Sequence, residues 1–119
     1  MYLYFILILA SFNVSNCQIR NDKPNIESIF TSPNLYEGKK FSITCQVSNG
    51  PVSFNWLLNG KKILYDENLF TVNHDEISML NIKKMSLENS GEYTCEAENS
   101  SKEKDSKKVI VKLNGNLLN

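Results

Sequence analysis

The stretch NSGEYTCEAEN, residues 89–99, constrains the fold more tightly than any other part of the chain. In an extended strand, side chains two positions apart share a face. Gly91, Tyr93, Cys95 and Ala97 therefore lie on one side, and Glu92, Thr94, Glu96 and Glu98 on the other. The first set belongs in a core and the second in water. A cysteine aimed into a core needs a partner on the far side of it, so the remaining sequence must supply a second buried thiol.

The rest of the chain consists of short alternating or apolar segments separated by turn residues, with no helix-length periodicity. Pro24 opens PNIESIF, an expected edge strand, because proline is tolerated at a strand's first position. KFSITCQV follows, with Phe41, Ile43, Cys45 and Val47 alternating against Ser42, Thr44 and Gln46. After the Asn49-Gly50-Pro51 turn, VSFNWLL puts Val52, Phe54, Trp56 and Leu58 on one face. Asn59-Gly60 predicts a tight hairpin, since a type I′ turn needs positive φ at both central residues, and KKIL is the return strand. LFTV and ISMLNIK flank a turn at Asn73-His74-Asp75, with Leu80 and Ile82 facing inward. KKVIVKL closes the series with Val109, Val111 and Leu113. Strands this short and this evenly spaced predict an antiparallel two-sheet β-sandwich, in which each sheet covers the apolar face of the other.

The N-terminus fixes the redox setting of the thiols. Residues 1–17 contain no charged side chain and hold the apolar run YLYFILILA, which is too short to span a bilayer as a stable helix. The segment matches a secretory signal peptide, apart from the missing Lys or Arg at its start, with Ser15 and Cys17 as the small residues before a cut. A retained anchor or a buried core segment are the alternatives. Cleavage there leaves Cys45 and Cys95, and two thiols in an oxidising compartment are expected to form a bridge. The expected organisation is a signal peptide at 1–17, an N-terminal segment at 18–23, one domain at 24–113 and a frayed tail at 114–119, with no membrane span in the mature chain.

Cys45, Trp56, Leu80 and the run Gly91-x-Tyr93-x-Cys95-x-Ala97-x-Asn99 together resemble the immunoglobulin superfamily. The resemblance implies an all-β, immunoglobulin-like antiparallel sandwich with one inter-sheet disulfide between Cys45 and Cys95. It also implies that Trp56 packs on the bridge and that the Tyr93 hydroxyl bonds the backbone upstream. Twenty residues between Trp56 and Ile77 leave room for short C′ and D strands but no C″ strand. Asn89 stands where the family often has aspartate, and no arginine follows Arg20, so the buried Arg–Asp pair of variable domains is absent. The chain thus resembles an intermediate-set (I-set) domain. The string EG-x6-C-x-V-x2-G-P, then W-L-L-N-G-K and S-x-L-x-I, is similar to modules of the Down syndrome cell adhesion molecule family and to hemolin-like arthropod proteins.

Catalytic constellations are missing from the sequence. His74 is the only histidine, and with Asp75 and Glu76 it reads as a solvated turn rather than a cation site. No phosphate loop, nucleophile elbow or CxxC occurs, so neither an enzyme nor a cofactor is expected. Thirteen Lys+Arg balance thirteen Asp+Glu, which gives no basic excess for nucleic acid. Asn99-Ser100-Ser101 is a glycosylation sequon; its alternative is an unmodified turn asparagine. Asn13-Val14-Ser15 also matches, within the expected leader. Lys39-Lys40, Lys61-Lys62 and Lys83-Lys84 fall at turns expected at one end of the sandwich, where they would meet a polyanion such as a glycosaminoglycan or an anionic membrane, or simply aid solubility.

The expected function is an extracellular, secreted protein-binding module in cell adhesion or immune-type recognition, with a homophilic or heterophilic protein partner. Its candidate contacts are residues 70–75 and the last hairpin loop, 99–105. The alternative is a structural spacer domain of a larger adhesion or receptor protein. An intracellular muscle-type module of the same fold is disfavoured by the leader.

Overall fold

The computed structural model describes residues 22–113. The expected leader with Cys17 and Asn13, most of the 18–23 segment and the 114–119 tail lie outside the described residues. Eight strands form: β1 (Asn25–Thr31), β2 (Phe41–Ser48), β3 (Ser53–Leu58), β4 (Lys61–Lys62), β5 (Leu69–Asn73), β6 (Ile77–Ile82), β7 (Gly91–Glu98) and β8 (Lys104–Val111). They pair antiparallel into two four-stranded sheets, ordered β1-β2-β6-β5 and β4-β3-β7-β8. The all-β, two-sheet expectation is met, with β1 at a sheet edge as Pro24 required. The core lies between the sheets and is built from Phe41, Ile43, Cys45 and Val47 of β2, Leu80 and Ile82 of β6, Trp56 of β3, and Tyr93, Cys95 and Ala97 of β7.

Local chemistry explains the boundaries. Asn59 and Gly60 both have positive φ, 53° and 82°, and they turn β3 into β4 in two residues. Gly91 is required by a close approach. A Cβ there would meet the Asn59 Oδ1 at 2.6 Å and Leu58 Cδ1 at 2.9 Å. Through that gap the Asn59 amide donates to the Glu92 carbonyl at 2.8 Å, and Asn59 Oδ1 accepts the Glu92 amide at 2.9 Å. The start of β7 is thereby fastened to the β3–β4 hairpin. A 3₁₀ turn, Leu87–Asn89, precedes it, with the Ser86 amide donating to Asn89 Oδ1 at 3.1 Å.

The structure departs from the sequence expectations at several strand ends. KKIL pairs only at Lys61 and Lys62; Leu64 is almost fully exposed, so it gains nothing from the sheet. The last strand begins at Lys104 rather than Lys107, because the ladder to β7 starts at Lys104 opposite Glu98, ahead of the apolar residues. In β1 a bulge between Ile26 and Ser28 shifts the register, so Ile26 faces the core while Phe30 faces out. Thr94 and Thr44, assigned to wet faces, are buried. Each sits mid-sheet between larger cross-strand neighbours, Leu57 and Lys108 for Thr94 and Phe30 and Met79 for Thr44, whose side chains close over it.

The edge between the sheets is closed by charge. Asp105 and Lys107 occupy inward-facing positions at the start of β8. The Asp105 carboxylate accepts the Ile26 amide at 2.7 Å, and the Lys107 ammonium donates to the Ile26 carbonyl at 3.5 Å. Inward charges on an edge strand also discourage pairing with a foreign strand. Replacing Asp105 by Ala strands the Ile26 amide and is expected to cost about 1–2 kcal/mol in urea unfolding. An unchanged midpoint would show that water satisfies that amide.

Candidate functional site

The centre of the domain is a four-cornered set of contacts between the sheets. Cys45 of β2 lies beside Ser78 of β6 in one sheet, and Cys95 of β7 lies beside Trp56 of β3 in the other. The sulfurs of Cys45 and Cys95 are bonded across the gap, with Cα atoms 6.5 Å apart. The second crossing is polar: the Trp56 indole N–H donates to the Ser78 hydroxyl at 2.9 Å. Ser78 in turn donates to Asn73 Oδ1 at the end of β5. All four corner residues are shut off from solvent, and no buried side-chain polar atom among the described residues lacks a partner. Ser78 appeared in the sequence only as part of a spacing pattern, and its service to the indole shows only once β6 lies beside β2 under Trp56. Tyr93 is buried alongside, and its hydroxyl donates to the Asn89 carbonyl. Burial pushes its ionisation from the usual 10.0 up to about 12. Leu80 sits one inward position along β6 from Ser78 and is fully buried.

What remains outside is the loops and the outer faces of the two sheets. At one end, the turn after β2 is tied to the β5–β6 turn: the Val47 amide donates to the Glu76 carbonyl at 2.9 Å and Val52 to the Asp75 carbonyl at 3.1 Å. The Glu76 carboxylate accepts the Gly50 amide at 2.9 Å, so the His74-Asp75-Glu76 segment is a latch rather than a merely solvated turn. No group of three metal-ligating side chains gathers among the described residues. The β7–β8 loop lies at the same end, where Asn99 through Ser101 share a hollow of about 270 Å³ with residues 49–51. Asn99 is built into that loop. Its Oδ1 accepts the amides of Ser101 at 3.0 Å and Glu103 at 2.9 Å, and its Nδ2 donates to the Glu103 carboxylate at 3.1 Å. Two of the expected contact loops shrink on folding: Phe70 to Asn73 belong to β5, and Lys104 and Asp105 to β8.

The six lysines do not gather into one cluster. Lys40, Lys83 and Lys84 line a groove of about 570 Å³, and Lys39 lines a neighbouring hollow with Lys40. The backbone explains this, since Met85 exchanges hydrogen bonds with Gly38 and Lys39 at 2.7 and 2.9 Å. Lys61 and Lys62 sit on β4, the edge of the other sheet, and line neither space.

Two antiparallel sheets pinned by one inter-sheet disulfide, with an indole beside it and a tyrosine tying the incoming loop, define an immunoglobulin-type domain. The chain belongs to the immunoglobulin domain family, whose model matches residues 23–99. It is 29% identical over 102 residues to the cell adhesion molecule DSCAML1 of Gallus gallus, and 28% identical over 99 residues to the titin homolog of Caenorhabditis elegans. Those matches cover 83% and 78% of this chain but only 5% and 0% of the relatives, so the chain corresponds to one small part of each. Among solved structures, titin domain M4 superposes with a TM-score of 0.68 at 19% identity, covering 79% of this chain and 98% of that one. A titin M10–obscurin-like 1 immunoglobulin complex gives a TM-score of 0.68 at 18% identity, covering 78% of this chain and 94% of that one. The strand complement, with short β4 and β5 and no further strand between them, agrees with an intermediate-set domain.

Two measurements test the centre. Ser78→Ala leaves the Trp56 N–H buried without an acceptor and is expected to cost about 1–3 kcal/mol by chemical denaturation. The neutral Tyr93 phenol is favoured in the folded chain while the unfolded chain ionises at its usual value. Stability should therefore hold to about pH 10 and fall as the pH rises toward 12. Tyr93→Phe is expected to flatten most of that fall, with the rest coming from Tyr65, which burial also holds above its usual value.

Proposed function

We propose that this chain is an extracellular protein-binding module of the adhesion or immune-recognition type. The observation that carries the reading is the Cys45–Cys95 bridge at the centre of the core, because such bonds persist in oxidising compartments and are rare in reducing ones. The apolar leader at 1–17 and the likeness to DSCAML1 support the same setting. The loops at the Asn99 end supply contact surface, and a glycan on Asn99 would project from that end. Glycosylation replaces one hydrogen of Nδ2, and the other remains available as a donor. No helix among the described residues is long and apolar enough to cross a membrane.

A structural spacer is the second reading, favoured by the small share of each relative that the chain matches and by the likeness to titin domains. In the titin M10–obscurin-like 1 complex an immunoglobulin domain is itself half of a protein contact, so the two readings share a fold and differ in surface use.

Expression in a secretory host decides the compartment. The expected product leaves the cell beginning at Gln18, with Cys45 and Cys95 resistant to alkylation until reduced, and with a glycan on Asn99 released by glycosidase. A product retained in the cytosol with both thiols free would overturn the reading. Exchanging residues 99–103 for the loop of an unrelated domain should weaken binding of the secreted protein to cells of its source; a pure spacer would be indifferent.

A further inference from the structure

The two outer faces of the sandwich differ in kind. On the β4-β3-β7-β8 sheet the outward rows carry Glu92, Glu96, Glu98, Lys104 and Lys108 beside the apolar Leu57 and Ile110, with Lys108 and Glu92 paired at 3.4 Å. On the β1-β2-β6-β5 sheet the outward rows are Ser28–Gln46–Ile77, Phe30–Thr44–Met79–Val72 and Ser42–Asn81–Phe70. None of these side chains ionises, and the one ionisable residue in the four strands is exposed Glu27 at the β1 bulge. In the middle row Phe30 is 51% exposed, Val72 47% and Met79 38%, so a band of apolar surface runs from edge to edge. The third row floors the 570 Å³ groove, and Lys40, Lys83 and Lys84 stand around it. The Lys83 ammonium lies over the Phe70 ring, 5.7 Å from its centroid. The single ion pair among the described residues is on the other sheet, so no carboxylate of the described residues lies within 4.0 Å of these three ammonium groups.

An apolar band that ends in unmatched positive charge selects its occupant. A sulfated glycan would use the lysines and leave Phe30, Met79 and Val72 uncovered. An uncharged apolar partner would bury the band and strand the ammonium groups beside it. We propose that this face docks an acidic protein segment whose apolar side chains cover the Phe30–Met79–Val72 band and Phe70, and whose carboxylates meet Lys40, Lys83 and Lys84. The proposal deepens the protein-binding reading by giving it a face and a partner chemistry, and it rests on that reading.

Amide-resolved NMR of the isotope-labelled secreted chain tests it. The probe is a short acetylated and amidated peptide alternating aspartate with phenylalanine. It is expected to shift the amides of Ser42, Phe70 and Asn81. Asparagine in place of its aspartates should weaken binding about tenfold, as should Lys83→Glu with Lys84→Glu or Phe70→Ser in the protein. Lys61→Glu with Lys62→Glu, on the other sheet, should change nothing. Absence of those shifts in the unmodified protein overturns the proposal without relying on any variant. So does equal binding of the uncharged peptide, or shifts of the same amides by heparin or phosphatidylserine vesicles alone. If the secreted protein still binds cells through its Asn99 loop while this face fails, the protein-binding reading stands and only the face is wrong.

Discussion

Two crossings between the sheets, one covalent and one hydrogen-bonded, hold the rest of the structure in place. Each sheet alone would present a row of apolar side chains to water, so neither is stable without the other. The Cys45–Cys95 bond closes a loop of 50 positions and removes much of the unfolded chain's freedom, worth about 4 kcal/mol on a chain-entropy argument. The Trp56–Ser78 hydrogen bond acts differently. It lets the largest side chain of the core be buried whole, because its one polar atom has a partner already held by Asn73. Stability of roughly 5–15 kcal/mol is normal for a domain of this kind, so the covalent crossing alone is a large fraction of the total.

That rigid centre frees the periphery. Two ends and two faces are left, and the chain treats each differently. The Asn99 end is cross-tied through backbone and through the Glu76 carboxylate, which presents loops of fixed shape. The opposite end is fastened by Asn59 to Glu92 and by Met85 to Lys39, which brings three lysines around one groove. One face is dressed in alternating charge, as suits a surface that stays wet. The other has Glu27, at the β1 bulge, as the one ionisable residue in its strands, and it is partly greasy. Phe30, Val72 and Met79 in one row give this face an apolar band, whereas on the other face exposed Ile110 stands opposite Glu92 among charged residues.

Period-two alternation was sufficient to place β2, β3, β6 and β7, because a half-buried strand writes its inward face directly into the sequence. It failed where a strand is held by something other than apolar burial. The first half of β8 points Asp105 and Lys107 inward, and their role is visible only once Ile26 of β1 is seen opposite them. The bulge in β1 broke the alternation and turned Phe30 outward. Asp105, read as a loop charge, proved to be a strand residue for the same reason.

Residue order by itself determined the sandwich, the Asn59-Gly60 turn and the buried side of β7, because each follows from local spacing; the pairing of Cys45 with Cys95 was expected from the resemblance and is made by the packing of the two sheets. Only the tertiary structure decided that Ser78 would serve Trp56, that three of six lysines would share a groove, and that one sheet would line Phe30, Met79 and Val72 up in a single outward row. Those outcomes depend on which strands lie side by side. Strand order in a sheet is set by long-range packing across the core, which no short stretch of sequence encodes.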